Sequence, residues 1–337
     1  MAIERLSVDE LATGLKEGQF IVVQEVTRNK PRQWVFQGER LMRIEEQEAQ
    51  GASFPKDAEI VLVGDDDVCL GYARRLEKYK VRYLAGGHLA WGQFYHAVDV
   101  GFDGQVKVWQ IHRLAKGCLS YLAASGQEAV IIDPSYHIDY FLGLAHAQKT
   151  DIRSVIDTRI HRDHVSGGGR LADKTGSPYY VPAHENLDAK SHPLEEQDEI
   201  VLGEARMKVI PFDKTERDNV TSVGLLLNGR FLFSGDIDLA ADKDVLFNAT
   251  DREIREQEDD PVLVLPAHAR RLGRINEHGI VATTLGELQK GSDAVGERGK
   301  AIATTRPEVS EENIFEINLM QQQISLDRAN DLELGLD

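Results

Sequence analysis

The sequence predicts an α/β protein in two parts: a parallel α/β unit, then two packed sheets flanked by helices. Three observations lead there. The chain has 337 residues, which at about 150 residues per domain suits two domains. Through roughly the first hundred residues the order strand–turn–helix–strand implies a right-handed parallel crossover unit. After Gly101-Phe102-Asp103-Gly104 the pattern becomes that of an antiparallel meander.

Each element has a local reason. Ser7-Val8-Asp9-Glu10 is a capping box that opens a short amphipathic helix ending near Gly18. Phe20 to Val26 and Glu59 to Val63 are apolar runs of strand length, and a helix is expected from about Cys69 to Tyr79. Val81 to Leu84 is the next strand, with Gly86-Gly87 turning the chain into Leu89-Ala90-Trp91. Beyond residue 101, strands are expected at Val106 to Leu114, Cys118 to Ala124, Glu128 to Asp133, Ile152 to Asp157, Met207 to Pro211, Ser222 to Leu227, Phe231 to Phe233 and Val262 to Leu265. Helices are expected at about 137–149, 166–174, 250–257 and 281–290, and the acidic segment Leu326 to Asp337 as a frayed tail. Strands separated by helices bury both most simply as two packed sheets.

Composition narrows the function. The chain is 42% hydrophobic, too apolar for disorder. With 39 Lys and Arg against 56 Asp and Glu the net charge is −17, which repels a phosphate backbone and excludes general nucleic-acid binding. Two cysteines, Cys69 and Cys118, make neither a disulfide framework nor a cysteine-rich zinc module. The charged opening Met1-Ala2-Ile3-Glu4-Arg5-Leu6 is unlike a signal peptide, and no apolar run approaches the ~20 residues of a membrane span. The expectation is a soluble, cytoplasmic protein acting on a small-molecule substrate, with no nucleic-acid or membrane partner; self-association into a homo-oligomer is left open.

Chemistry concentrates at strand ends. Past Asp157 comes Thr158-Arg159-Ile160-His161-Arg162-Asp163-His164, where two imidazoles and a carboxylate, the ligand types of zinc and iron(II), fall within four residues. Gly167-Gly168-Gly169 then lets the backbone turn into a helix. Alone, this stretch is as readily a polar surface loop. Two distant segments change that: Phe231-Leu232-Phe233-Ser234-Gly235-Asp236 releases a carboxylate from a buried run. Val262-Leu263-Val264-Leu265-Pro266-Ala267-His268 delivers an imidazole just past a proline that cannot extend a ladder.

These residues resemble the metallo-β-lactamase superfamily, whose signature is His-x-His-x-Asp-His, a distant His, a Gly-Asp and a late His. The likeness is to the glyoxalase II and persulfide dioxygenase branch, including members fused to a rhodanese domain. Lys116-Gly117-Cys118-Leu119-Ser120-Tyr121-Leu122, Val130-Ile131-Ile132-Asp133-Pro134, Ile275 to Ile280 and Ala282 to Leu288 belong to the same likeness, which covers about 105 to 290. It implies an αββα sandwich over residues 101–325. Residues 1–100 are similar to a rhodanese domain, chiefly through Val81 to Trp91. Where that family keeps its persulfide-forming Cys this chain has Gly64, followed by Asp65-Asp66-Asp67, so no sulfurtransferase activity is expected; Cys69 is expected to pack.

The likeness implies two metal sites. The first would use the positions of Arg159, His161 and Asp218 with Asp236 bridging; the second would use Asp163, His164 and His268, again with Asp236. The first is degenerate, because Arg159 replaces a His and cannot ligate, and Asp218 aligns where another His belongs. The cation of Arg159 would pair with Asp218 or Asp236. The expectation is one divalent ion, Zn or Fe(II), in the second site of a hydrolase for a thioester, ester or lactone. Asp236 or Asp163 would orient water and Arg159 would steady an oxyanion. The alternatives are a persulfide dioxygenase-like protein of sulfur metabolism, disfavoured by the two changed His positions, and a non-catalytic pseudoenzyme.

Overall fold

The structure is a computed structural model describing residues 3–24, 41–43, 54–161, 164–183, 191–196, 198–212, 222–237, 239, 243–250, 261–269, 276, 278–289, 318 and 324–334. Among these residues the chain forms three sheets. The first is wholly parallel, with β1 (Glu4–Leu6), β2 (Phe20–Gln24), β3 (Leu41–Arg43), β4 (Glu59–Val63) and β5 (Lys80–Leu84) in the order β1-β5-β4-β2-β3. Helix α1 (Val8–Lys16) starts at the capping box: Ser7 Oγ accepts from the Glu10 N–H and the Glu10 carboxylate accepts from the Ser7 N–H. Helix α2 (Asp66–Ala73) begins earlier than Cys69, since carboxylates at Asp66 and Asp67 suit a helix N-terminus.

Strand β4 shows why its sequence is a continuous apolar run: both faces are covered. Val61 and Val63 pack with Leu11 and with Trp91 of α3 (Gly87–Gly92), while Ile60 and Leu62 pack with Leu76 and the fully buried Cys69.

The second sheet has seven strands in chain order: β6 (Tyr95–Phe102), β7 (Val106–Arg113), β8 (Cys118–Ser125), β9 (Glu128–Ile132), β10 (Asp151–Ile156), β11 (Tyr179–Pro182) and β12 (His192–Leu194). Strands β6 to β9 are the antiparallel meander; β9 to β12 run parallel, with crossovers through α4 (Ile138–Ala147) and α5 (Gly168–Thr175). The third sheet holds β13 (Glu199–Leu202), β14 (Ala205–Pro211), β15 (Val223–Leu227), β16 (Phe231–Gly235), β17 (Leu263–Pro266) and β18 (Thr283–Thr284). Only β16 and β17 are parallel neighbours there.

Alternation along β8 divides the layers. Leu119, Tyr121 and Ala123 face the six-stranded sheet, where the Tyr121 ring meets Phe233 edge-on at 4.9 Å. Leu122 and Ala124 face Phe141 of α4 and Leu171 of α5. On the other sheet Leu226, Leu232 and Val264 are also buried, in the cluster completed by Leu246 of α6 (Lys243–Thr250) and by Leu285 and Leu288 of α7 (Leu285–Gln289). The sequence predicts no helix at 243–250; the helix expected at 250–257 falls, beyond Thr250, on residues 251–260, which lie outside the described residues. The sequence predicts no strands at β1, β3, β6, β11, β12, β13 or β18, and β18 opens the stretch where a helix is expected at 281–290. No helix among the described residues is long and apolar enough to cross a membrane.

The expected frayed tail is instead helix α8 (Leu326–Leu334). Ala329 and Leu332, three residues apart on one helix face, pack on Tyr136 and Val165. The acidity that suggested a solvated tail is used internally, because Glu333 Oε2 lies 2.5 Å from Arg113 Nη2 with both side chains 1% exposed. Arg113 Nε also donates to Gly92 O at 2.8 Å, so one guanidinium links α3, β7 and α8.

This junction makes the fold acid-sensitive. Burial alone would raise the Glu333 carboxyl, but Arg113 and then Lys116 hold it at about 2 against an ordinary 4.5. Burial, then Arg113, pushes His137 down to about 4 from 6.5, and its Nε2 lies 3.1 Å from Asn330 Oδ1 of α8. Both values are depressed in the folded state, so the unfolded chain binds more protons as pH falls. Stability is complete above 6.5, declines towards 4 as the unfolded chain protonates His137, and declines again from 4.5 to 2 through Glu333. Denaturation curves across this range should show Glu333→Gln costing about 3–5 kcal/mol at neutral pH, by stranding Arg113, and flattening the lower decline. A variant curve superposing on the wild type would contradict the assignment.

Candidate metal centre

The chemistry-bearing residues sit at the carboxyl ends of two pairs of parallel strands. Asp133, Asp157 and Asp236 are the first residues after β9, β10 and β16, and His268 is the second after β17. Parallel neighbours finish on the same edge, so the two sheets present these groups together, with the loop after Asp157 between them.

Thr158 joins the two edges. Its N–H donates to Asp133 Oδ1 at 2.7 Å, its hydroxyl donates to Asp133 Oδ2 at 2.9 Å, and its carbonyl accepts from the Val223 N–H at 3.0 Å. Asp133 holds φ 52°, a left-handed conformation that costs a residue with a Cβ about 1 kcal/mol or more. On the other side Gly235 has φ 57°, and a Cβ there would lie 2.9 Å from Thr158 Oγ1, so only glycine lets the chain bring Asp236 this close.

Around this joint the structure brings together Arg159, His161, His164, Asp236 and His268. Asp163 and Asp218, expected in the same centre, lie outside the described residues. The rings of His161 and His164 are 4.3 Å apart, and each is 6.1 Å from His268. Asp236 is shared: Oδ2 lies 2.6 Å from Arg159 Nη1, and Oδ1 lies 2.9 Å from His268 Nδ1. Of the two partners expected for Arg159, Asp236 is in contact, and Asp218 lies outside the described residues. His161 Nε2 lies 3.2 Å from Asp133 Oδ1, while its buried Nδ1 has no hydrogen-bond partner among the described residues.

Two groups of three side chains hold their donor atoms within 4.8 Å of one another: Cys118, His164 and His268, and Asp133, Asp157 and His161. Hydrogen bonding within the protein occupies much of the second. Asp133 holds Thr158, and Asp157 Oδ2 accepts from the Tyr179 hydroxyl at 2.6 Å and from Ser166 Oγ. Burial raises the Asp157 carboxyl, and its Oδ1 has no hydrogen-bond partner among the described residues. The first group, two imidazoles and a thiol beside the Asp236 carboxylate, has the chemistry of a site for a borderline-soft divalent cation. These residues fit a zinc or iron(II) ion.

Several participants were not read from the sequence. Asp133 and Asp157 carried the same signal as Asp236, a carboxylate released at a strand end, and were assigned to the strands. Cys118 lies in an apolar run, where the sequence predicts a core residue. Asn318 has no local signal at all. Its Nδ2 donates to His161 O at 2.9 Å and His164 O at 3.0 Å, and its Oδ1 accepts from the Ser166 N–H at 2.9 Å. Glu333 Oε1 accepts the neighbouring Val165 N–H at 2.8 Å.

No family model matches the chain. A hydroxyacylglutathione hydrolase of Nitrosomonas europaea is 31% identical over 93 residues, 28% of this chain and 35% of that protein, so the chain spans about a third of the curated relative it matches. Among solved structures, a metallo-beta-lactamase from Staphylococcus aureus subsp. aureus COL is 20% identical with a TM-score of 0.49, covering 66% of this chain and 74% of that one. ETHE1 from Myxococcus xanthus is 18% identical with a TM-score of 0.43, covering 72% of this chain and 99% of that one.

Asn318→Ala would strand two buried carbonyls and an N–H, at about 1–3 kcal/mol each. Hydrogen exchange should then show faster exchange of the Ser166 amide, with β2 and β4 unchanged. Equal exchange at Ser166 in variant and wild type would show that the clamp does not hold the loop.

Proposed function

We propose that the chain is a hydrolase of the metallo-β-lactamase type, acting on a thioester, ester or lactone with one divalent ion, Zn or Fe(II). His164, His268, Asp236 and Asp163 would hold the ion. The observation that carries this reading is that His164 and His268, with Cys118, hold buried donor atoms within 4.8 Å of one another, while Asp236 reaches His268 through Oδ1 and Arg159 through Oδ2. The protein of Nitrosomonas europaea, named for hydrolysing hydroxyacylglutathione, supports the substrate class. In this reading residues 101–325 form the catalytic domain. Residues 1–100 form a rhodanese-like domain without sulfurtransferase activity, consistent with the burial of Cys69 in its core.

The bound ion would supply a water of pKa about 7 and polarise the scissile carbonyl. The protein supplies the rest. Asp133 fixes the orientation of His161 through Nε2, and Asn318 fixes the backbone on which His161 and His164 ride. Arg159 is permanently charged and stands beside Asp236, where a second cation would otherwise stand. Its guanidinium is the group positioned to stabilise an oxyanion developing on the substrate. With side chains 6% exposed, the Arg159–Asp236 pair works where water screens it little.

That same pair favours a second reading, a chain that binds but does not turn over, because it occupies one carboxylate oxygen. Metal analysis of protein purified without chelator, with a panel of thioesters, esters and lactones, separates the two. The expected result is one bound ion per chain, lost in His268→Ala, and turnover that falls by roughly 10²–10³ in Arg159→Met with the ion retained. A metal-free wild type unchanged by His268→Ala would overturn the metal reading. Bound metal without turnover of any panel member would establish the binding protein instead.

A further inference from the structure

We propose that Cys118 is a thiolate ligand of the ion held by His164 and His268, which makes the centre a sulfur–nitrogen site. This deepens the proposed function and rests on its metal reading. The thiol does not stand alone: Cys118 Sγ, His164 and His268 offer donor atoms all within 4.8 Å, and the three residues are 3%, 2% and 1% exposed. Sγ lies 3.6 Å from His164 Nδ1. Bonds of ~2.3 Å to sulfur and ~2.0–2.1 Å to nitrogen, meeting at about 90–120°, put two ligand atoms about 3.1–3.8 Å apart, so this sulfur–nitrogen contact can close on one ion with little movement.

The backbone, not a flexible side chain, puts the thiol there. Cys118 and His268 face each other in an isolated antiparallel bridge between the start of β8 and the loop after β17. Leu119 N–H donates to Ala267 O at 2.7 Å and Ala269 N–H to Gly117 O at 2.9 Å, fixing both residues from both sides. Pro266 ends β17 immediately before this bridge, and its carbonyl accepts from the Tyr121 hydroxyl at 2.5 Å. A small apolar residue would fill the Cys118 position equally well if packing were its role. On binding, the sulfur–metal bond forms as the S–H bond breaks, and the proton leaves to solvent. A thiolate in the set favours zinc or iron(II) over magnesium or manganese.

Cobalt(II) titration of chelator-treated protein tests this without substrate. Wild type should show visible ligand-field bands together with a thiolate-to-cobalt charge-transfer band in the near ultraviolet. Cys118→Ser should lose the charge-transfer band, keep the ligand-field bands and bind zinc at least tenfold more weakly, while Cys69→Ala should match wild type. X-ray absorption on the zinc-loaded wild type needs no variant to fold and should show one sulfur at about 2.3 Å. Ligand-field bands without charge transfer, or zinc with only nitrogen and oxygen neighbours, would overturn the role of Cys118 and leave the hydrolase reading standing. Failure of wild type to bind either metal would overturn both.

Discussion

Thr158 is bonded to both sheets at once, and the arrangement of the centre depends on that joint. Its N–H and hydroxyl hold Asp133 at the end of β9, its carbonyl holds Val223 at the start of β15, and its side chain fills the space that Gly235 leaves open. Without it, two sheets packed by apolar side chains would be free to slide by fractions of an ångström, since such packing is non-directional. Hydrogen bonds at the shared edge are directional, and they fix where Asp236 and His268 stand relative to His161 and His164.

The electrostatics follow from the same geometry. Arg159, the residue after Thr158, is carried to Asp236 by the joint, and the pair is buried with side chains 6% exposed. A buried pair of this kind is weak evidence for stability, because desolvation offsets the attraction. Its value is in fixing charge: a permanent cation and a carboxylate lie beside imidazoles able to take a metal. The C-terminal elements support the loop from behind, with Asn318 on the carbonyls of His161 and His164 and Glu333 on the Val165 amide.

How much of this was legible depended on whether the signal was local. The capping box at Ser7, the parallel run at β4 and the meander strands β7 to β9 follow from neighbouring residues and appear as expected, although the meander starts one strand earlier, at β6. Short edge strands such as β12 and β13 did not announce themselves, since a few half-exposed residues carry little periodicity. Helix α8 was misread because its acidity looks like solvent exposure until Arg113, more than 200 residues away, is seen to receive Glu333. For the centre, strand-end histidines and carboxylates were visible as a motif, whereas Cys118 and Asn318 act through contacts that no spacing rule encodes.

The central claim is that one buried point between the sheets holds a divalent ion. Anomalous diffraction from crystals of protein purified without chelator, collected at the zinc and iron edges, addresses it most directly. The account requires a single strong peak within bonding distance of His164, His268 and Asp236. A map in which the Arg159 guanidinium fills that space and no peak stands among the three would contradict it.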